Sequence, residues 1–199
     1  MYDRRLVAVR LDHREVALFA LMLFHAARFD ARTDADGRLL LLEDQDRSKW
    51  NADLLARASY YLNCSAEGER ISAYHLEAGI AMLHCSATSF AETNWPEILR
   101  LYDMLVRVDP SPIVRLNRAI AIAHLEGPAA GIRIIEQLVG SELLRGYHLV
   151  DAALGELHRR SGHLLEARRY FTRAMKLTQS EPDRELLQRR LEACDGARP

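Results

Sequence analysis

The chain has 199 residues, of which 49% are apolar and 28% are charged, and 27 basic against 28 acidic residues give a formal net charge of −1. This apolar fraction excludes an intrinsically disordered chain, and the length suits one domain, or two small ones, with a sizeable core. A domain that binds nucleic acid alone usually carries a basic excess. We therefore expect no direct contact between this chain and nucleic acid.

Three features of the sequence predict a cytoplasmic protein without a membrane span. The longest unbroken apolar run, residues 16–24, is too short to cross a bilayer. Residues 1–5 lack the apolar stretch and cleavage site of a secretory signal. Cys64, Cys85 and Cys194 are odd in number and form no Cys-x-x-Cys pair, which is typical of reduced thiols.

Helical periodicity dominates the chain from its first capping signal onward. Asp12 and Glu15 have the spacing of a capping box, and an almost wholly apolar helix follows them. Residues 32–48 break the helical pattern, so we expect a loop there with room for a short extended piece. Further helices are predicted at 49–63, 71–87, 96–108, from 112 to Gly127, 129–139, 143–161, 164–178 and 182–194.

This pattern predicts an all-α fold of about nine helices. No stretch alternates apolar and polar residues for long enough to form a sheet. The connections are short, and short connections force consecutive helices to pack as antiparallel hairpins. We expect an N-terminal helical subdomain over residues 1–92, which contains the loop, and a second one over residues 93–199. The two are expected to form one continuous body.

The C-terminal half contains a pattern that resembles the tetratricopeptide repeat. Gly155 and Ala167 are small residues that allow two helices to approach closely, and Gly162 suits the tight turn between them. Phe171 is the large residue expected to fill the space towards the next hairpin. Two earlier large residues, Tyr102 and Ile135, precede it at intervals close to about 34 residues. The alternative is a set of ordinary helix hairpins with Gly and Ala at their crossings.

The sequence contains no complete motif for metal binding, nucleophilic catalysis or phosphate binding. Asp34, Asp36, Gly37 and Glu43 have the spacing of a calcium-binding loop, but Arg32 stands at its first ligand position. The eight histidines are scattered and show no zinc-ligand spacing. No Gly-x-Ser-x-Gly motif and no glycine-rich phosphate loop occur. We therefore expect no metal, no cofactor and no enzymatic activity.

The strongest local candidate for binding lies in the loop. Gln45, Asp46, Arg47 and Trp50 place polar side chains beside a Trp in a non-helical stretch, and loops of this kind can bind ligands or partners. The alternative is a pinned linker in which Arg47 bridges Asp44 or Asp46. A small-molecule sensor would use this stretch, from Asp34 to Trp50, to close a pocket against the first helix.

Several pieces of the sequence, in their order, resemble the long C-terminal extension of a subgroup of bacterial extracytoplasmic-function sigma factors. The most specific piece is Gln45-Asp46-Arg47-Ser48-x-Trp50. The resemblance spans nearly the whole chain, from about Val16 to Leu191. The pieces that carry it are residues 20–28, 31–37, 42–50, 93–95, 101–102, 111–112, 116–119 and 127–131.

The resemblance implies a regulatory role and not promoter binding. In that family the N-terminal half melts the promoter and reads its upstream element, and the extension contains tetratricopeptide-like repeats. This chain has neither DNA-binding region, so the implied partner is the sigma core, RNA polymerase or another protein. The resemblance does not decide whether the chain is part of a longer sigma factor or a stand-alone relative.

A repeat array of this kind binds through the concave face that is lined by the first helix of each pair. On that basis Arg115, Asn117 and Arg118 are candidate contact residues. Asn117 is the side chain most suited to hydrogen-bond a partner's backbone, and its alternative role is a bond within the fold. A homodimer is compatible with the sequence but is not required by it.

Overall fold

The computed structural model describes residues 12–67 and 70–196. Within these ranges the chain is all-α, which confirms the predicted fold class. The first eleven residues of the predicted 1–92 subdomain lie outside the described residues. The nine helices are α1 (His13–Ala26), α2 (Ala52–Ser65), α3 (Ala73–Ser86), α4 (Trp95–Val108), α5 (Pro112–Leu125), α6 (Pro128–Leu138), α7 (His148–Arg160), α8 (Leu164–Leu177) and α9 (Glu181–Asp195).

Consecutive helices pack as antiparallel pairs, as the short connections predict. The pairs are α1 with α2, α3 with α4, α5 with α6 and α7 with α8, and α9 packs against α8. Neighbouring pairs also touch, since α1 packs on α3, α4 on α5 and α6 on α7. Side chains of α1, α3, α5, α7 and α9 line the cavities on one side of this array. We call this side the concave face.

Local sequence signals set most helix starts. The predicted capping box is present, because the Glu15 N–H donates to the Asp12 carboxylate and the Asp12 N–H donates to the Glu15 carboxylate, both at 2.8 Å. Asn51, Asn94 and Ser111 each accept a backbone N–H of the first turn that follows. These bonds satisfy amide donors that have no partner inside the helix.

The structure differs from the predicted helix at 143–161. Helix α7 begins only at His148, and Glu142–Leu144 form a separate short 3-10 turn. Gly146 lies between them with φ +76°, a left-handed conformation that interrupts the helix. The turn buries Leu144 in the core formed by α5, α6 and α7. The apolar periodicity of the sequence continues on both sides of Gly146, so the sequence predicts one uninterrupted helix where the structure has a break.

Small residues allow close packing between the paired helices. A Cβ atom added to Gly155 of α7 would lie 2.6 Å from the ring of Phe171 on α8. Gly162, in the turn between these helices, has φ +77°. Phe171 is buried in a cluster with Leu187 and Cys194 of α9. The geometry expected for these positions is therefore present, whereas the assignment to a named repeat family stays a prediction.

We expect Gly155→Ala to destabilise the protein. The new methyl group would overlap the Phe171 ring, and overpacking costs about 1–3 kcal/mol, against the gain of up to about 1 kcal/mol in helix propensity. The matched control is Gly140→Ala, because nothing lies within 4 Å of a Cβ there. Urea unfolding should show a lower unfolding free energy for Gly155→Ala only. Equal values for both variants would contradict the tight α7–α8 contact.

Candidate functional site

A largely apolar cavity of about 350 Å³ lies on the concave face between α5, α7 and α9. Its polar groups stand among apolar walls and include Asn117, His124, Glu156 and Arg160. An apolar concavity with a few polar groups is the usual form of a binding site. The main apolar lining consists of Leu116, Ile120, Leu149, Ala153, Leu157 and Leu187.

A segment of the loop after α1 crosses this cavity. We call residues 39–44 the strap. Its residues Leu41, Leu42 and Glu43 line the cavity together with the helices, and both leucines are half-buried. The strap therefore forms one wall of the concave site, although it lies close to the N-terminus and α9 close to the C-terminus.

Two arginines of α9 hold the strap. Arg190 lies 3.0 Å from the Glu43 carboxylate and 3.2 Å from the Asp44 carboxylate, and its side chain is 19% exposed. Its other guanidinium nitrogen lies 3.9 Å from Glu156 of α7. Arg189 donates to the backbone carbonyl of Leu39 at 2.5 Å. Charge-assisted bonds at partly buried sites are stronger than ordinary surface pairs.

A cluster of aromatic rings continues the concave face. His124 of α5 stacks on Trp95 at a centroid distance of 3.8 Å, and Phe90 meets both rings edge-on. His84 also approaches Trp95 edge-on at 5.4 Å. These side chains line a smaller cavity of about 210 Å³, which shares Leu42 and other lining residues with the first one.

Both histidines of this cluster are neutral at pH 7. Burial lowers the pKa of His84 to about 4, and the positive charges of Arg28 and Arg47 add to the shift. Burial also lowers the pKa of His124 to about 4, with a contribution from Arg160. A neutral imidazole can stack on an indole without the cost of a desolvated charge.

A third cavity, of about 500 Å³, opens between α1, α3, α4 and α5. His25, Glu77 and Tyr102 are among its polar lining residues. Burial raises the pKa of Glu77, and the nearby Asp109 carboxylate adds to this. Burial, with the charge of Glu77, raises the pKa of Tyr102 to about 12.

The three α5 residues predicted to contact a partner lie in different surroundings. Asn117 lines all three cavities and is the one that lies on the concave face. Arg118 pairs instead with Asp103 of α4, with its Nε 2.7 Å from the carboxylate. Arg115 is exposed and lines none of these cavities. The resemblance to a helical repeat predicted that α5 lines the concave face, and Asn117 lies there. It did not predict that Arg115 and Arg118 lie on other sides of the same helix.

The predicted loop residues form anchors on either side of the strap. Arg47 donates to the carbonyls of His84 and Ala87 at the C-terminal end of α3, at 2.7 and 2.8 Å. Its guanidinium also lies 4.5 Å from the ring centroid of the buried Trp50. Arg47 therefore pins the loop to α3 rather than bridging Asp44 or Asp46.

The other loop residues serve local structure. Asp34 accepts the N–H groups of Asp36 and Arg38, which shapes a turn at Gly37, and Asp36 pairs with Arg38. Thr33 and Leu39 close this turn as an isolated antiparallel bridge. Beyond the strap, Asp46 accepts the N–H and the hydroxyl of Ser48, and the Gln45 oxygen lies 3.4 Å from Arg28 Nε.

Sequence reasoning missed Glu156, Arg189 and Arg190. On the sequence they look like the charged face of a surface helix, and no local pattern links them to residues 39–44. The signal that was available is the four-leucine run of residues 39–42 in a loop, because exposed loops rarely carry such a run.

Residues 12–67 and 70–196 contain neither a membrane-spanning helix nor a cluster of metal-ligating side chains. None of the helices there is both long and apolar enough to cross a bilayer. In the same part of the chain, no three His, Cys, Asp or Glu side chains come together in a group that could hold a metal ion.

Comparisons with known proteins give two matches. Residues 4–66 match a family described as a family of unknown function, DUF6596. An uncharacterized protein of Rhizobium meliloti (strain 1021) is 40% identical over 162 residues, which cover 81% of this chain and 38% of that protein. The chain is thus homologous to a considerably longer protein and spans well under half of it. No solved structure matches the chain.

We expect Arg190→Ala to weaken the strap. The variant removes the shared partner of Glu43 and Asp44, while Glu156 keeps its pairing with Arg159 at 2.6 Å. The expected loss is about 1 kcal/mol of unfolding free energy, with faster amide hydrogen exchange in residues 39–44. Arg145→Ala is the control, because its pair with Glu142 is almost fully exposed and should contribute little. Unchanged exchange in the strap of Arg190→Ala would contradict this role.

The two buried histidines predict a specific pH dependence. Their folded pKa values lie below the unfolded value of about 6.5, so the unfolded chain binds more protons between pH 6.5 and 4. The contribution of His84 to stability is therefore complete above pH 6.5 and falls, by at most about 3 kcal/mol, as the pH drops towards 4.

Thermal unfolding at pH 7 and pH 5 measures this effect. The decrease in stability should be smaller in His84→Gln than in the wild type, because the variant cannot take up that proton. His13→Gln, at an exposed site on α1, should keep the wild-type decrease. An identical decrease in His84→Gln and wild type would show that His84 is not the titrating group.

Proposed function

We propose that this chain is a non-catalytic regulatory domain that binds a segment of another protein along its concave face. The observation that carries the proposal is the apolar cavity of about 350 Å³ between the first helices of successive pairs. The neutral imidazole of His124, which stacks on Trp95, and Asn117 both line the cavity and suit recognition of a peptide surface more than acid–base chemistry.

We also propose that the domain is part of a sigma-factor-like system of transcription initiation. The ordered sequence pieces, above all residues 45–50, support this through their resemblance to the sigma-factor extensions. The near-zero net charge suits a part of such a system that contacts protein rather than promoter DNA. The partner is then the sigma core or RNA polymerase, in the bacterial cytoplasm, and the helix pairs would form a tetratricopeptide-like array.

A second candidate function is small-molecule sensing. It is favoured by one observation, that the strap residues Leu41, Leu42 and Glu43 form one wall of the apolar cavity. The residues first expected to form such a pocket, Asp46, Arg47 and Trp50, line none of the three cavities. A sensing pocket would therefore lie under the strap and not beside Arg47.

A binding experiment with matched variants tests the main proposal. The chain is titrated with the sigma core and the RNA polymerase of the same bacterium. Leu149→Glu places a charge in the cavity at a residue that is 43% exposed, so folding should survive. We expect at least tenfold weaker binding, which corresponds to about 1.4 kcal/mol. Leu165→Glu is the control, because this leucine is 72% exposed on α8 and lies outside the cavity.

Two results would contradict the proposal. The first is an absence of binding to either partner at high micromolar concentration, together with unchanged transcription when the domain is deleted. The second is equal binding by Leu149→Glu and Leu165→Glu, which would place the interface elsewhere. Tight binding of a metabolite in the cavity, without any protein partner, would favour the sensing function instead.

A further inference from the structure

The strap, in which Leu42–Asp44 form a short 3-10 turn, already occupies part of the concave face. Its leucines pack at the cavity wall, and the acidic residues that follow them, Glu43 and Asp44, lie on Arg190. Arg189 holds the backbone of the same segment through the Leu39 carbonyl. The helical array thus binds a segment of its own chain in which two apolar residues are followed by two acidic residues.

None of the strap residues is fully buried, whereas the anchor that follows the strap includes the buried Trp50. Before it, Asp34 and the Thr33–Leu39 bridge fix a turn, and after it, Arg47 and Trp50 fix the loop to α3. Between these anchors Glu43 and Asp44 are exposed, and the leucines are only half-buried. Segments with few buried contacts open locally without global unfolding.

The strap also leaves part of the site unused. A cavity of about 350 Å³ remains beside Leu41 and Leu42. Arg160 borders this cavity and is exposed, and among the described residues no carboxylate lies within ion-pair distance of it. A longer segment with further apolar and acidic side chains could fill this space and pair with Arg160. Such contacts offset the advantage in effective concentration that a tethered segment has.

We infer that the strap is an internal stand-in for the partner's binding segment. The partner segment is then a short peptide in which two apolar residues are followed by acidic residues, and it displaces residues 39–44 when it binds. This inference rests on the proposed function, since it names the partner segment for the same concave face. It adds that the free protein is held in a closed, self-occupied state.

Synthetic peptides test the inference directly. One peptide carries the sequence of residues 38–46, and a control peptide carries Lys in place of Glu43 and Asp44. They are titrated against the wild-type chain and against a chain with the double substitution Glu43→Gln and Asp44→Asn, which weakens the strap without changing its shape. We expect the acidic peptide to bind the double variant at least fivefold more tightly than the wild type. Adding Arg190→Gln to the double variant should remove this binding, whereas adding Arg145→Gln should not.

Hydrogen exchange supplies a second readout on the wild-type chain. A saturating amount of the acidic peptide should increase exchange of the strap amides and leave those of α2 unchanged. Equal binding of the acidic and lysine peptides, continued protection of the strap under bound peptide, or no binding to the double variant at millimolar peptide would each overturn the inference. Binding of the sigma core without these effects overturns only the strap inference. Peptide binding without any binding of the core or polymerase overturns only the proposed function.

Discussion

Arg190 joins three parts of the chain that are far apart in sequence. It lies on α9, contacts Glu43 and Asp44 of the strap 147 and 146 residues away, and approaches Glu156 of α7. This half-buried guanidinium lies within ion-pair distance of three carboxylates, so it links α7, α9 and the strap. Without this contact, the strap would be held on α9 by the bond from Arg189 to the Leu39 carbonyl, and its two carboxylates would lose their shared arginine.

The concave face itself follows from helix packing. Antiparallel pairs place every first helix on the same side. The close crossing of Gly155 and Phe171 joins the two helices of one pair, and Gly131 of α6 lies close to Leu157 of α7 in the next pair. Apolar residues of several helices, some of which also belong to the buried core, then line the cavity together with the strap. The proposed function therefore relies on surface complementarity along several helices and not on one cluster of reactive groups.

Much of the fold could be predicted because its signals are local. The capping pair Asp12 and Glu15 and the Ser111 cap each encode a helix start in a few adjacent residues. The break between the 3-10 turn and α7 at Gly146 could not be predicted, because the apolar periodicity continues on both sides of this glycine. The candidate site was harder to predict. Arg190 and Glu43 are 147 residues apart, so no local sequence pattern indicates that they pair. The repeat-like order of the helices predicted Arg115, Asn117 and Arg118 on the concave face, and of these Asn117 alone lines its cavities.

Site-specific photo-crosslinking tests the central claim, that the concave face receives a protein partner, most directly. A photoreactive phenylalanine analogue replaces Leu149 inside the cavity or Leu165 on the outer surface of α8, and each chain is irradiated with the sigma core and RNA polymerase. We predict a covalent adduct with one of these partners from position 149 and none from position 165. An adduct from position 165 alone, or equal adducts from both positions, would contradict binding through the concave face.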